Sequence, residues 1–295
     1  MKNINKAVIL AAGMGTRFLP ITKSIPKEML PLVDQPTIHY IVEEIVQSRI
    51  NQILIVVSSY KDSIVDYFDS AYELEKRLTE VKKNKELQTV QKVVKMANIH
   101  YIRQKEPLGL GHALLMAEKF VGNEPFAALT GDDFIYTGSK KPAIAQCINL
   151  FKKTNSSIIG VQKINPKNIS MHGIIDPKKI NEKEQSILLK SIIEKPKPEN
   201  APSEYGVIGR YILEPKIFKY IKTTPKNEKN EIELTNALMK YCKHEKIYAK
   251  ILQGQRFDIG SKLGWIEATI FVSLLNQKDR KEIKEILQKY LDKNV

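Results

Sequence analysis

The stretch that most limits what this chain can become is Lys6–Pro20, K-A-V-I-L-A-A-G-M-G-T-R-F-L-P. A short apolar strand, Ala7–Ala11, runs directly into a loop that carries Gly13 and Gly15. Glycines admit positive φ and close backbone approach, so successive N–H groups can face anionic oxygens. Arg17 adds fixed positive charge, and P-K-E-M-L-P, Pro26–Pro31, adds Lys27 and Glu28. A strand, a glycine loop and cations in this order suit a nucleoside triphosphate. The loop is not a Walker A loop, because no G-K-[ST] follows at the required spacing. It is not the dinucleotide fingerprint either, since Phe18 stands where the third glycine belongs.

The rest of the chain alternates strand-like runs with helical stretches. Ile53–Val57 is continuously apolar, as expected of a strand buried on both faces of a parallel sheet. Strands are also predicted at Ile99–Arg103, Phe126–Thr130 and Ser157–Gln162. Between them, helices are predicted at Thr37–Gln47, Asp62–Phe68, Tyr72–Lys95, Gly111–Phe120 and Lys141–Lys153. Helix-length connections between strands predict a doubly wound sheet. Strands at Gly173–Asp176, Ile187–Glu194 and Tyr205–Leu213 are separated by Pro- and Asn-rich turns, Asp176-Pro177 among them, and predict a partly antiparallel half. Helices at Pro215–Ile221 and Glu233–Tyr241, a strand at Ile247–Leu252, and helices at Lys262–Asn276 and Arg280–Leu291 complete the pattern. The predicted class is α/β, a Rossmann-like mixed, mostly parallel sheet flanked by helices. One domain is expected, with a nucleotide-binding half (1–135), a second half (136–260) and C-terminal helices (261–295).

Charge bears on partners. The chain has a formal net charge of +14. Its lysines are scattered among Glu, Gln and Asn, and there is no zinc-finger, helix-turn-helix or RNP-like pattern. The expectation is therefore no nucleic acid, and a surface that favours anionic phosphates. No apolar run approaches the ~20 residues that span a bilayer, so no membrane is expected. No signal-peptide pattern opens the chain. Cys147 and Cys242 lack metal-ligand spacing, and a reduced cytoplasmic location is expected.

Further motifs carry a resemblance: Ile102–Gln104 (I-R-Q), Gly109–Ala113 (G-L-G-H-A), Thr130–Asp133 (T-G-D-D), Ile193–Pro196 (I-E-K-P), Val207–Tyr211 (V-I-G-R-Y) and Phe257–Gly264 (F-D-I-G-S-K-L-G). In this order, and over nearly the whole length, the chain resembles the bacterial UTP–glucose-1-phosphate uridylyltransferases, also called UDP-glucose pyrophosphorylases, of the sugar-phosphate nucleotidyltransferase family. The resemblance implies transfer of the uridylyl group of UTP to α-D-glucose 1-phosphate, giving UDP-glucose and pyrophosphate. It implies Mg2+ on Asp132 and Asp258, hard oxygen ligands of the kind that ion prefers. Uracil would be read by backbone at Ala11, Ala12 and Gly13, near Gly15, with Glu28 and Gln104 as side-chain partners and Gly109 closing over the base. Glu194 would meet sugar hydroxyls and Lys195 the sugar phosphate, with Gly173, Val207 and Gly209 approaching the hexose and Lys262 near the phosphates. Arg17, Lys27 and Lys195, with Mg2+ held chiefly by Asp132, would carry the chemistry by positioning and charge neutralisation. It also implies a homodimer or homotetramer, with the late helices as a possible interface.

Other residues invite plainer roles. Asp133 is expected to cap a helix or stand in solvent, His112 to cap or pack, and Trp265 and Phe271 to serve core or interface. Three rival functions remain: the same chemistry on dTTP or an N-acetylhexosamine phosphate, a non-catalytic regulatory paralogue, and a basic nucleic-acid-binding protein. Arg17, Lys27, Asp132, Lys195 and Asp258 speak against the second.

Overall fold

A computed structural model of the chain describes residues 3–292. Met1, Lys2 and the last three residues of the 261–295 segment lie outside the described residues. The strands are β1 (Lys6–Ala11), β2 (Pro31–Leu32), β3 (Gln35–Pro36), β4 (Gln52–Val57), β5 (Asn98–Arg103), β6 (Phe126–Thr130), β7 (Asp133–Tyr136), β8 (Ser157–Lys163), β9 (Gly173–Asn181), β10 (Ser186–Glu194), β11 (Tyr205–Leu213), β12 (Ile247–Ile251) and β13 (Gln255–Asp258). One sheet runs β5-β4-β1-β6-β11-β8-β12-β10-β9. Its first four strands pair in parallel, as helical crossovers require. β11 then enters antiparallel to both β6 and β8. β12 is parallel to β8, and β10 and β9 close the order antiparallel. β11 also meets β9 at Gly206–Ile174, so the second half of the sheet curls back on itself.

The continuous apolar runs have a simple cause: helices cover both faces. Val8 and Leu10 of β1 face one core, and Ala7, Ile9 and Ala11 face the other. Helix Thr37–Gln47 places Ile38, Ile41, Val42 and Ile45 in the second core. Helix Leu234–Cys242 places Leu234, Ala237, Leu238 and Tyr241 in the first. A smaller cluster of Leu32, Phe134, Phe257, Ile259 and Ala268 lies under the β7–β13 ribbon, with Trp265 and Phe271 packed against it. Among the described residues no helix is long and apolar enough to cross a membrane.

Three expectations need correction, and one feature was not foreseen. The predicted Tyr72–Lys95 helix is two, Tyr72–Glu80 and Asn84–Val94, broken where Lys82 adopts φ +55°. The predicted Gly111–Phe120 helix starts earlier and is interrupted, giving Gly109–Leu115 and Glu118–Val121. Asp176-Pro177 is no turn but lies inside β9, where the pairing with β10 is irregular around Pro177 and a missing N–H is tolerated. The short strands β7 and β13 were not anticipated. They matter most, because they present Asp133 and Asp258 opposite each other.

Candidate active site

A cavity of about 570 Å3 opens beside the carboxyl ends of β1 and β6, the usual place for ligands in open α/β sheets. Most of the expected site residues line it: Ala12, Gly13, Gly15, Arg17, Lys27, Gln104, Gly109, Asp132, Gly173, Glu194, Lys195, Val207, Gly209 and Asp258. Gly15 takes the left-handed conformation at φ +67°, and the loop beyond it turns in a short 3-10 helix that carries Arg17.

Three expected residues stand elsewhere. Ala11 is buried in β1 and is not part of the lining. Glu28 is wholly buried, and both carboxylate oxygens accept from Lys61 Nζ, at 2.8 and 3.0 Å. The same ammonium donates to the Ala11 carbonyl at 2.5 Å. Glu28 therefore ties the P-K-E-M-L-P turn to the strand end rather than facing the cavity. Lys262 is exposed at the start of helix Lys262–Leu275, on a surface groove with Phe18 and Trp265.

Asp132 follows β6 and accepts from Lys27 Nζ at 2.5 Å. Burial opposes its charge, but Lys27 wins and holds the carboxyl below its ordinary range. Burial likewise opposes the Lys27 charge, and Asp132 and Glu28 more than offset it, so this ammonium is held above its usual value. Asp258 differs. Burial and then the charge of Asp133 push its carboxyl up, against Arg256. The backbone holds the two metal candidates together: the Ile259 N–H donates to the Asp132 carbonyl at 3.0 Å.

Asp132 Oδ2 and Asp258 Oδ1 lie 2.9 and 3.0 Å from the point where a Cβ on Gly260 would stand. Two hard oxygens around one small space fit a hard divalent cation. Among the described residues no group of three or more His, Cys, Asp or Glu could hold a metal. Two carboxylates are nonetheless enough where a substrate's phosphates and water complete the shell.

Asp133 neither caps a helix nor meets solvent. It is buried, takes Thr130 Oγ1 at 3.0 Å on Oδ2, and takes Arg256 Nε at 2.6 Å on Oδ1. Arg256, which lines the cavity, was missed in the sequence. It sits two residues before Asp258 in β13, and only the β7–β13 pairing reveals its partner. A Cβ on Gly209, at φ +57°, would stand 2.0 Å from Thr130 Oγ1. That left-handed residue interrupts the β11–β8 register and turns Arg210 into the core.

At the other end of the cavity, Glu194 at the end of β10 pairs in register with Gly173 at the start of β9. Lys195 Nζ meets Glu194 Oε1 at 2.9 Å. Burial opposes the ammonium, but the bond and charge of Glu194 hold it above its usual value. Glu231 and Glu233 also line this end and were not anticipated. Burial first, and then Glu194, push the Glu233 carboxyl up.

Gln104 stands where β5 ends, its N–H bound to the Val57 carbonyl at 2.8 Å. Gly109, at φ +89°, is backed by residues 231–232: a Cβ would stand 2.8 Å from Glu231 Cβ. Two backbone bonds clamp this segment, Ile232 N–H to Leu108 O at 2.7 Å and Gly111 N–H to Ile232 O at 2.8 Å.

The nucleotidyl transferase family model matches residues 6–274. A Bacillus subtilis UTP–glucose-1-phosphate uridylyltransferase is 47% identical over 287 residues, covering 97% of this chain and 95% of that protein. The structure of a UTP-bound UGPase from Acinetobacter baumannii superposes with TM-score 0.90 at 38% identity, covering 97% of this chain and 99% of the other. A UDP-glucose pyrophosphorylase complexed with UDP-glucose gives TM-score 0.83 at 39% identity, covering 90% and 97%. With the fold, the motif order and these likenesses in agreement, the chain belongs to the nucleotidyl transferase family.

Proposed function

We propose that this protein is a UTP–glucose-1-phosphate uridylyltransferase, making UDP-glucose and pyrophosphate. The observation that carries the proposal is that one cavity joins the Gly13–Arg17 loop, the Asp132–Asp258 pair and the Glu194–Lys195 pair. Those are the parts needed for a triphosphate, a cation and a sugar phosphate. Relatives with this activity in their names align over nearly the full chain. Neither dTTP nor a regulatory role draws comparable support.

No protein nucleophile is required. The glucose 1-phosphate oxygen attacks the α-phosphorus of UTP in line, and pyrophosphate leaves. Ala12 and Gly13 offer backbone to the base, with Gln104 as its side-chain partner. Lys195 draws in the sugar phosphate as a compact cation, and Glu194 accepts from hexose hydroxyls. Gly173, Val207 and Gly209 shape the hexose end. Arg17 and Lys27 lie on the phosphate side, where they neutralise charge on the transferring group and on the departing pyrophosphate. Asp132 and Asp258 would hold Mg2+, which supplies Lewis-acid polarisation of the phosphate oxygens when bound. Lys27 already compensates Asp132, so the site keeps its charge balance before substrate arrives.

The chain acts as one domain with halves at 1–135 and 136–260, in the cytoplasm, without nucleic acid or membrane as partner. A homodimer or homotetramer would cover Leu263, Ile266, Ile286 and Leu291, large apolar side chains that are exposed on the late helices. Pyrophosphate release measured for UTP, dTTP, CTP and ATP against glucose 1-phosphate and N-acetylglucosamine 1-phosphate tests the proposal. The UTP and glucose 1-phosphate pair should dominate; preference for another pair would overturn it.

A further inference from the structure

We infer that His112 is a positioning residue for base choice: it locks the Gln104 side-chain amide with its acceptor oxygen toward the nucleotide, and so selects uracil over cytosine. The inference rests on the uridylyl function proposed above, with Gln104 as the base's side-chain partner.

One terminal atom of Gln104 lies 3.2 Å from the Gly109 carbonyl and 2.8 Å from His112 Nδ1. A carbonyl only accepts, so the atom beside it is the amide nitrogen and not the oxygen. The Gln104 Nε2 has two hydrogens. One goes to Gly109 O and the other to His112 Nδ1, which must then be unprotonated. Burial holds the imidazole below its ordinary value, against the opposing charge of Glu106, which keeps the ring neutral; the bond from the Gln104 amide then places the ring hydrogen on Nε2. Both amide hydrogens are thus used inside the protein. Gln104 Oε1 has no partner among the described residues, and it is the end of the amide left for a ligand in the cavity that Gln104 lines.

The surroundings leave the amide little freedom except rotation about its last bond. The Gln104 backbone is held by Val57, and the helix start that carries Gly109 and His112 is clamped by Ile232. Neither Gly109 nor Gly111 has room for a side chain against that clamp. Rotating the amide would put Oε1 against the Gly109 carbonyl, which can only accept, and would oblige His112 to move its ring hydrogen from Nε2 to Nδ1. An outward acceptor suits the N3–H of uracil. Cytosine presents an unprotonated N3, a second acceptor, and leaves the amide oxygen facing a lone pair. A site built to bond one pattern rejects the other, because its own polar group is left unpaired.

The test compares kcat/KM for UTP and CTP, each at saturating glucose 1-phosphate, for the full-length enzyme and three variants. His112→Phe keeps a ring and removes the acceptor. It should lower the UTP/CTP ratio roughly tenfold, the scale of one hydrogen bond, with an unchanged KM for glucose 1-phosphate. His112→Asn keeps a polar group near the Nδ1 position and should retain most of the ratio. Gln104→Leu should collapse the ratio altogether. If Gln104→Leu leaves the ratio unchanged, the uracil assignment of Gln104 fails and this inference with it. If Gln104→Leu collapses the ratio while His112→Phe does not move it, only the role given to His112 is overturned. A His112→Phe enzyme that loses UTP and CTP turnover equally, with a lowered Tm, would show a merely structural histidine and also overturn it.

Discussion

Replacing Glu44 with leucine should destabilise the protein strongly, and replacing Arg210 with methionine in the same chain should give a total loss well below the two single losses added together. Arg210 is wholly buried in β11 and Glu44 is 8% exposed in helix Thr37–Gln47. Arg210 Nε donates to the two Glu44 oxygens at 3.0 and 3.2 Å, and Nη2 donates to Oε2 at 2.8 Å. Nη2 also reaches the Asp133 carbonyl at 2.7 Å, and the Ile144 N–H donates to Glu44 Oε1 at 2.8 Å. Glu44→Leu leaves a guanidinium in the core without its counter-charge, a loss of about 3–5 kcal/mol. At ~2–4 °C per kcal/mol for a large domain, Tm should fall by roughly 6–20 °C. The double variant removes both charges but takes away the partners of the Asp133 and Gly209 carbonyls and of the Ile144 N–H, at about 1–3 kcal/mol each before repacking. A double-mutant cycle by urea denaturation would therefore show the double variant well short of the sum of the singles. Glu44→Leu within about 1 kcal/mol of the parent, or strict additivity, would refute the buried-pair reasoning.

The site yields four more predictions. Lys27→Met removes the cation beside Asp132, so kcat should fall about 10²–10³-fold; calorimetry should show tighter Mg2+ binding without nucleotide, and unchanged turnover would contradict the assigned role. Asp132→Ala should abolish pyrophosphate release while leaving the circular dichroism spectrum intact, and near-normal activity with Mg2+ would rule out the metal assignment. Lys195→Ala should raise KM for glucose 1-phosphate far more than KM for UTP, whereas equal shifts would reject its placement at the sugar phosphate. Gly109→Ala combines a left-handed φ with a contact of 2.8 Å to Glu231; it should cost of order 1–3 kcal/mol in a denaturation experiment, and a neutral result would mean that the clamp can yield.

Periodic patterns and motifs in a fixed order are legible in the amino-acid sequence. The helix stripe Ile38, Ile41, Val42, Ile45 and the apolar run Ile53–Val57 report burial through their periods, and both take the predicted form. Motif order placed Gly13, Gln104, Asp132, Glu194 and Asp258 around one cavity although they are far apart in the chain. Four-residue strands have no such signal. β7 and β13 are too short to show a clear alternation, and they form because Phe134 and Phe257 stack over a small third core.

The fate of the charged residues shows why a motif is an incomplete guide to a site. P-K-E-M-L-P contains two charges side by side, and the fold sends them in opposite directions: Lys27 into the cavity, and Glu28 to Lys61 behind it. Asp132 and Asp133 divide in the same manner, one toward the cation space and one toward Arg256, 123 positions away. Lys27 and Glu28 lie in a short 3-10 helix, and Asp132 lies in the turn that ends where Asp133 opens β7, so neighbouring charged residues leave the backbone in different directions, one toward the cavity and one as a support. The supports are as charged as the ligands because the site concentrates like charge. Asp132, Asp133 and Asp258 together would repel one another in a buried space, and Arg256 and Lys27 make that density tolerable before any cation binds. Under the function proposed above, base choice falls to neutral groups, the Gln104 amide and the backbone at Ala12 and Gly13, which can discriminate a neutral base by hydrogen-bond pattern where a free carboxylate would favour any donor.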